Sequence, residues 1–308
     1  MAMQASVWQV KKELCEIGDR IWRKGFCAGN EGNHSVRVGE DRVLITPSGV
    51  SKGMLSPEMI CTVDMNGDVV DGQTKWRPSS ERKVHIAIYK HRPDVGAVIH
   101  SHPPHATAFA VAGIPLPEGI HPEAEVFLGR VPTAEYATPS TEDLPNSILP
   151  LIGPETNTVL MGNHGSVSFD KDLVGAYYKL EILDAYCRIL LLTKQVGHAN
   201  VLNPQQMAEL LQVKQQFGMT DPRAACALEG CVGEQNELFL TSFDVRPSGA
   251  MAAGGGGAVI QRHGRNADGV AQSTGSASPS SDGSPDGDAA FEAMVEAITD
   301  QIMASAQN

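Results

Sequence analysis

The stretch Asp94-Val95-Gly96-Ala97-Val98-Ile99-His100-Ser101-His102-Pro103-Pro104 is the one around which the rest of the chain is organised. Its first part is a short apolar run rich in β-branched residues, which predicts a buried strand. Side chains two residues apart on a strand leave on the same face, so His100 and His102 can direct both imidazoles at one point. Pro103 ends the strand, because proline cannot extend a hydrogen-bonded ladder. The pair is either a metal site or two hydrogen-bonded histidines at a strand end.

A third histidine follows a second predicted strand. Residues 157–161 form another short apolar run, and Gly162-Asn163-His164-Gly165 comes directly after it. Neutral imidazoles suit zinc, and three protein ligands with an open fourth position are the arrangement of catalytic zinc sites. We therefore predict that His100, His102 and His164 hold a divalent metal, with a nearby carboxylate as a fourth ligand or a base.

Small polar residues and glycines also stand at the ends of predicted elements. A strand over residues 42–46 ends in Pro47-Ser48-Gly49, and Pro78-Ser79-Ser80-Glu81 opens a helix. Free amides at loops and helix N-termini can hold a phosphate, although ordinary turns and helix caps have the same composition. Glu81 in a first helical turn can also simply complement the helix dipole. Together with the histidines, these segments predict a metal-assisted enzyme for a small phosphorylated or hydroxylated carbonyl compound.

Composition excludes several classes of protein. The chain has 308 residues, of which 42% are hydrophobic, so a sizeable core can form. A formal net charge of −12 gives no electrostatic support to nucleic-acid binding. No apolar stretch reaches membrane-spanning length, and residues 1–4 lack the layout of a signal peptide. The six cysteines form no CxxC pair, which predicts reduced thiols. We expect a cytoplasmic protein without nucleic-acid or membrane partners.

The composition changes along the chain and predicts three segments. Residues 1–245 have the pattern of a globular α/β domain, with an irregular, proline-rich stretch at 113–139. Residues 246–287 are rich in Gly, Ser and Pro, which is typical of a flexible linker. Residues 288–308 place apolar side chains on one stripe at helical spacing, which predicts an amphipathic helix.

Five motifs in order resemble the class II aldolase/adducin family over about residues 5–218. They are residues 32–37 (GNHSVR), 44–49 (LITPSG), 78–81 (PSSE), 100–102 (HSH) and 163–165 (NHG). The resemblance implies one three-layer α/β/α domain with a mainly antiparallel central sheet. It also implies a homotetramer with its active sites at subunit interfaces.

The resemblance implies specific roles for residues in these motifs. His100, His102 and His164 correspond to ligands of one zinc ion per subunit, for which Mn²⁺ is an alternative. Glu81 corresponds to a carboxylate that ligates the metal at rest and acts as acid/base during turnover. Phosphate-binding positions of the family correspond to Asn33, Ser48, Gly49, Ser79 and Ser80.

The implied reaction is cleavage of a deoxyketose 1-phosphate, such as L-fuculose or L-rhamnulose 1-phosphate, to dihydroxyacetone phosphate and lactaldehyde. A sugar-phosphate 4-epimerase and a non-catalytic adducin-like interaction module are the alternatives. Pro122 and Phe217 stand where a family aldolase has tyrosines that assist proton transfer. We therefore predict that Glu125, near His121 and Glu123, supplies the second acid/base group, either within the chain or across a subunit interface.

The C-terminal segment resembles the encapsulation peptides of bacterial microcompartment cargo enzymes. The resemblance implies a shell-protein partner and a place in the microcompartment lumen, where a shell would retain a reactive aldehyde. The alternative is a helix that folds back on its own domain, because burying its exposed apolar face against that domain is favourable.

Overall fold

The computed structural model describes residues 6–70 and 75–242. A central sheet contains seven strands in the order β3-β2-β1-β4-β7-β6-β5. The β5–β6 pair is parallel and the other pairs are antiparallel. The strands are β1 Asn33–Arg37, β2 Arg42–Ile45, β3 Cys61–Asp64, β4 Ala97–Ser101, β5 Thr133–Ala134, β6 Thr158–Met161 and β7 Gly165–Asp170.

Eight α-helices are described together with five short 3₁₀ segments. The helices are α1 Val7–Arg23, α2 Arg82–His91, α3 Pro104–Ala112, α4 Pro122–Phe127, α5 Asp143–Ile148, α6 Leu173–Val196, α7 Pro204–Gln216 and α8 Asn236–Ser242. The 3₁₀ segments are Lys52–Met54, Pro57–Met59, Leu149–Leu151, Pro222–Ala225 and Ala227–Glu229. No helix among the described residues has the length and apolar character that a bilayer crossing requires.

Alternating strand residues face two separate cores. Val98 of β4 lies in a core with residues of α2 and α5, whereas Ala97 and Ile99 lie in a core with residues of α1 and α6. This alternation is the period of a strand that is covered on both faces. The structure thus confirms the predicted three-layer α/β/α domain with a mainly antiparallel sheet.

The sheet brings the loops of the predicted motifs together. Asn33 at the start of β1 pairs with His100 near the end of β4, because these strands are antiparallel. Strand β7 pairs with β4 on the other side and begins directly after His164. The end of β4 therefore lies between the loop before β1 and the turn before β7.

The structure differs from the sequence-based expectations at three places. Residues 122–127 form helix α4 inside the stretch expected to be irregular, with Pro122 at the first helical position, where its missing N–H costs nothing. Cys226 and Cys231 form a disulfide, so the prediction that all six cysteines are reduced is wrong for this pair. Helix α8 was not expected, although Phe239 within it is fully buried. The predicted linker and C-terminal helix lie outside the described residues.

Candidate metal centre

Three imidazoles converge at the end of β4. His100 lies in β4, His102 follows it, and His164 lies in the turn between β6 and β7. One ring nitrogen from each lies within 4.8 Å of the others, and the ring centroids are 4.7–4.9 Å apart. The structure therefore brings together the three histidines that the sequence predicts as metal ligands.

The turn that carries His164 has a backbone that few residues allow. Asn163 has a positive φ of 55°, a conformation that asparagine tolerates better than most side chains. A Cβ on Gly165 would lie 2.6 Å from the His102 ring and 2.7 Å from the Ser101 carbonyl oxygen. Only glycine fits there, and its small size lets the turn before β7 approach the end of β4.

Glu81 faces the imidazoles from the start of α2. Its Oε2 atom lies 3.2 Å from His100 Nε2, and its Oε1 atom lies 3.6 Å from His164 Nε2. Asn33 Nδ2 donates a hydrogen bond of 3.0 Å to Oε2. Burial raises the pKa of Glu81, but its interactions with His100 and His164 and the hydrogen bond from Asn33 outweigh burial and lower the pKa to about 2. The carboxylate is therefore ionised at neutral pH.

The His100 imidazole is oriented by a backbone carbonyl, and the imidazoles of His102 and His164 are largely uncharged at neutral pH. His100 Nδ1 lies 2.9 Å from the Ser166 carbonyl oxygen, which leaves Nε2 directed at Glu81. Burial, followed by the charge of His100, lowers the pKa of both His102 and His164 to about 4. Neutral imidazole nitrogens with an anionic carboxylate are the donor set that zinc prefers. The residues present therefore fit a zinc ion.

A chain of buried polar groups supports Glu81 from behind. His85 Nε2 lies 2.5 Å from Asn33 Oδ1, and His85 Nδ1 lies 2.7 Å from Ser35 Oγ. Ser35 Oγ also lies 2.8 Å from the Tyr89 hydroxyl. Sequence reasoning missed His85, although its i+4 spacing from Glu81 predicts a common helix face. The chain holds the Asn33 amide, and through it the carboxylate, in one orientation.

The predicted phosphate-binding residues line a cavity of about 310 Å³ that also contains Glu81, His102 and His164. They are Asn33, Ser48, Gly49, Ser79 and Ser80. Gly49 has a φ of +75° and open space where a Cβ would lie. Ser79 is buried, and its Oγ accepts a 3.2 Å hydrogen bond from the Glu81 amide. Asn33 is already bonded on both sides of its amide, whereas Ser80 is exposed.

Two further residues that line this cavity are not predicted by the sequence. Glu31 lines the cavity, and its carboxylate accepts hydrogen bonds from the amides of Ala28 and Gly29. Ser140 also lines it and has a positive φ of 67°. A larger cavity, of about 800 Å³, lies elsewhere and is lined by the ion pairs Arg92–Asp94 and Lys179–Asp170 among other groups. Cavity size therefore does not locate the chemistry in this protein.

The structure does not bring Glu125 to the histidine cavity of its own chain. Glu125 is 2% exposed, lies 2.8 Å from the Arg223 guanidinium and accepts a 2.5 Å hydrogen bond from the Gly119 amide. Burial raises its pKa, which Arg223 and the Gly119 bond partly oppose. Pro122 begins α4, and Phe217 is 67% exposed. The catalytic role of Glu125 stays a prediction.

Comparison with known proteins is consistent with this fold and site. The model of the class II aldolase and adducin N-terminal domain family matches residues 12–191. The chain therefore belongs to the class II aldolase/adducin family. An L-fuculose phosphate aldolase of Methanococcus maripaludis is 30% identical over 177 residues, which cover 58% of this chain and 93% of that protein.

Other relatives carry different names. A 3-oxo-tetronate 4-phosphate decarboxylase of Haemophilus influenzae is 30% identical over 187 residues, which cover 58% of this chain and 85% of that protein. A solved structure of an L-fuculose 1-phosphate aldolase matches with a TM-score of 0.63 at 31% identity, covering 71% of this chain and 100% of that one. The chain is thus similar both to aldolases and to a decarboxylase.

Proposed function

We propose that the protein is a zinc-dependent aldolase that cleaves a deoxyketose 1-phosphate, such as L-fuculose or L-rhamnulose 1-phosphate, to dihydroxyacetone phosphate and lactaldehyde. The observation that carries the proposal is one cavity with two complementary walls. One wall presents neutral imidazoles and Glu81, and the other presents the Ser48–Gly49 and Ser79–Ser80 segments. One zinc ion per subunit would be held by His100, His102, His164 and, at rest, Glu81, with Mn²⁺ as an alternative ion.

Bound zinc would supply a Lewis acid that polarises the substrate carbonyl. Cleavage also removes a proton from a hydroxyl group and returns one to carbon, so the site needs groups that exchange protons. The contacts of Glu81 support a role in one of these transfers, because Asn33 holds its carboxylate at the imidazoles.

The phosphate wall is built from neutral donors. The Ser79 and Ser80 hydroxyls and the open backbone at Gly49 can each donate to a phosphate oxygen. The Ser48 hydroxyl donates a 3.0 Å hydrogen bond to the Pro78 carbonyl and would have to rotate to do the same. Ser79 and Ser80 precede α2, so the positive end of that helix dipole adds to the attraction. The second proton-transfer group is proposed to be Glu125, either after rearrangement or from a neighbouring subunit.

The decisive experiment is a substrate panel run on zinc-loaded protein. Ketose 1- and 5-phosphates are assayed for release of dihydroxyacetone phosphate, for epimerised product and, with 3-oxo-tetronate 4-phosphate, for release of CO₂. We expect dihydroxyacetone phosphate from a 6-deoxyketose 1-phosphate, and we expect Glu81→Gln to abolish it. Epimerised product or CO₂ as the dominant signal would replace the aldolase proposal by one of the other two reactions. Protein that binds no metal and turns over nothing would favour the interaction module.

Assembly and targeting are proposed from the family and from the pattern of the tail. We propose a homotetramer. We also propose that residues 288–308 bind a shell protein and thereby target the enzyme to a microcompartment lumen. Light scattering tests the tetramer. Deleting residues 286–308 tests targeting, and we expect full activity with loss of co-purification with shell protein. Loss of activity in the truncated chain would favour the helix that folds back on its own domain.

A further inference from the structure

Lys52 is a buried cation that the reaction proposed above does not use. It is 1% exposed and begins the 3₁₀ segment Lys52–Met54. Its ammonium donates hydrogen bonds of 3.0 Å to the Asn30 carbonyl and 2.9 Å to the Val50 carbonyl. Within residues 6–70 and 75–242, no carboxylate lies within ion-pair distance of it. Burying an ammonium without such a partner is unfavourable, so a functional reason for it is worth seeking.

The two carbonyls that Lys52 binds belong to two loops at the candidate phosphate cavity, the loop before β1 and the loop after β2. Asn30 lines the cavity, and Val50 directly follows Gly49, which also lines it. Because the peptide bond is planar and trans, each carbonyl that points at Lys52 turns the following N–H in the opposite direction. The amides of Glu31 and Ser51 therefore point away from the ammonium. Lys52 fixes the peptide planes of both loops and their spacing.

The charge of the cavity gives Lys52 a second role. The described residues that line it include two carboxylates, Glu31 and Glu81, but no lysine or arginine. A phosphate dianion would thus enter a wall of neutral donors with anionic groups nearby. The Lys52 ammonium lies behind the two loops in a buried, low-dielectric position, where its attraction for an anion is weakly screened.

We propose that Lys52 is the positioning residue of the phosphate site, which anchors the loops at Asn30 and Val50 and supplies positive charge from behind them. It acts through these loops and does not itself touch the ligand. The inference rests on the proposed sugar-phosphate chemistry and deepens it, because it assigns the source of the site's preference for a phosphorylated ketose.

The test compares zinc-loaded wild type, Lys52→Met and the exposed control Lys12→Met, all as full chains. Isothermal titration with inorganic phosphate measures affinity, and zinc content and melting temperature are recorded in parallel. We expect Lys52→Met to bind phosphate about tenfold more weakly or worse, with unchanged zinc content, because one close charge and two loop anchors are lost. KM for the phosphorylated ketose should rise by a similar factor while kcat changes little. Lys12→Met should match wild type in all readouts.

Several results would overturn the inference. One is equal phosphate affinity in wild type and Lys52→Met, and another is loss of zinc together with phosphate, which would show general damage to the site. If Lys52→Met is not recovered folded, Lys52→Gln carries the same readouts, since it keeps a donor but not the charge. Wild type that binds phosphate yet cleaves no ketose phosphate refutes the aldolase proposal alone, because the affinity comparison still decides the role of Lys52.

Discussion

Two clusters of titratable side chains in the same domain differ in the groups that surround their carboxylates. The histidine cluster contains Glu81, His100, His102 and His164. The arginine cluster contains Glu118, Glu125, Arg130, Lys214, Asp221 and Arg223. In the arginine cluster Arg223 lies 2.8–2.9 Å from three carboxylates, and Lys214 lies 2.8 Å from Asp221. In the histidine cluster the one carboxylate faces imidazoles, at 3.2 and 3.6 Å.

A low carboxyl pKa does not distinguish the two clusters. Burial raises the pKa of Asp221, but hydrogen bonds from Arg223 and Lys214 lower it to about 2, and the pKa of Glu81 is also about 2. The difference lies in the partners, since guanidinium and ammonium groups are permanent cations, whereas the imidazoles of His102 and His164, whose pKa is lowered to about 4, are neutral at pH 7. A cluster in which permanent cations neutralise the carboxylates suits a structural role. A cluster in which neutral ring nitrogens converge on one point suits metal binding.

Removing one imidazole gives the largest expected effect and tests the histidine cluster directly. We expect His102→Ala to lose bound zinc and at least about a thousandfold in kcat, since three protein ligands are needed to fix a catalytic ion. The melting temperature of the metal-free protein should change little, because His102 is only half-buried. Metal analysis and the cleavage assay measure both, with the exposed His198→Ala as control. Full activity without bound metal would show that the histidine cluster is not a catalytic metal site, and the proposed difference between the two clusters would be wrong.

The next largest effect concerns Glu125, which the sequence assigns to catalysis and the structure places in the arginine cluster. Glu125→Gln leaves Arg223 with two of its three carboxylates, so we expect unfolding free energy to fall by roughly 1–3 kcal/mol. Because Glu125 is proposed as the second proton-transfer group, kcat per folded molecule should also fall by about a hundredfold or more at a temperature well below unfolding. Urea denaturation and the cleavage assay separate the two quantities. Reduced stability with full turnover per folded molecule would show that Glu125 serves the arginine cluster alone, and its proposed catalytic role would be wrong.

The sequence predicts the histidine cluster because its cues are local. Period-two spacing, followed by Pro103, places His100 and His102 on one strand face, and His164 directly follows a second apolar run. The antiparallel β1–β4–β7 arrangement that joins these loops is not contained in spacing, and it came from the family resemblance. The phosphate residues are likewise adjacent to recognisable turns and caps.

The arginine cluster was missed because its contacts join distant parts of the chain. Glu125 and Arg223 meet only after α4 and the 3₁₀ segment Pro222–Ala225 are packed together, and no spacing rule encodes that contact. Helix α4 itself had a start signal, with Pro122 at its first position and acidic residues in its first turn. The many prolines around it favoured the irregular interpretation. The absence of a CxxC motif predicts reduced thiols. Cysteines at another spacing, such as Cys226 and Cys231, can still be joined where the backbone brings them into a suitable geometry.

Mild acid should weaken the side of the domain that carries the histidine cluster before it affects the arginine cluster. Burial is the main cause that lowers the pKa of His34 to about 4 and that of His85 to about 3. The unfolded chain titrates near 6.5 and binds more protons below that pH, so stability falls as the pH drops from 6.5 toward 4. Each histidine contributes about 1 kcal/mol per pH unit in that window.

The matched variant for this prediction is His34→Gln, whose amide can still donate to the Leu14 carbonyl that His34 Nε2 contacts at 2.7 Å. Denaturation at pH 7, 6 and 5 should show a shallower loss of stability than wild type. The pairs of Asp221 should persist through this range because its pKa is about 2. An unchanged pH slope in His34→Gln would mean that other groups determine the acid response.

The smallest expected effect concerns the disulfide that borders the arginine cluster. Cys226 and Cys231 are separated by five positions, and the segment they close leads to Gly233, whose amide donates a 3.3 Å hydrogen bond to Glu118. A short loop restricts the unfolded chain little, so reduction should lower stability by about 1–2 kcal/mol. We expect Cys226→Ser/Cys231→Ser to lower the melting temperature slightly while zinc content and kcat stay at wild-type values. If the double variant instead loses zinc or turnover, the two clusters are coupled, and the separation of a structural centre from a chemical one fails.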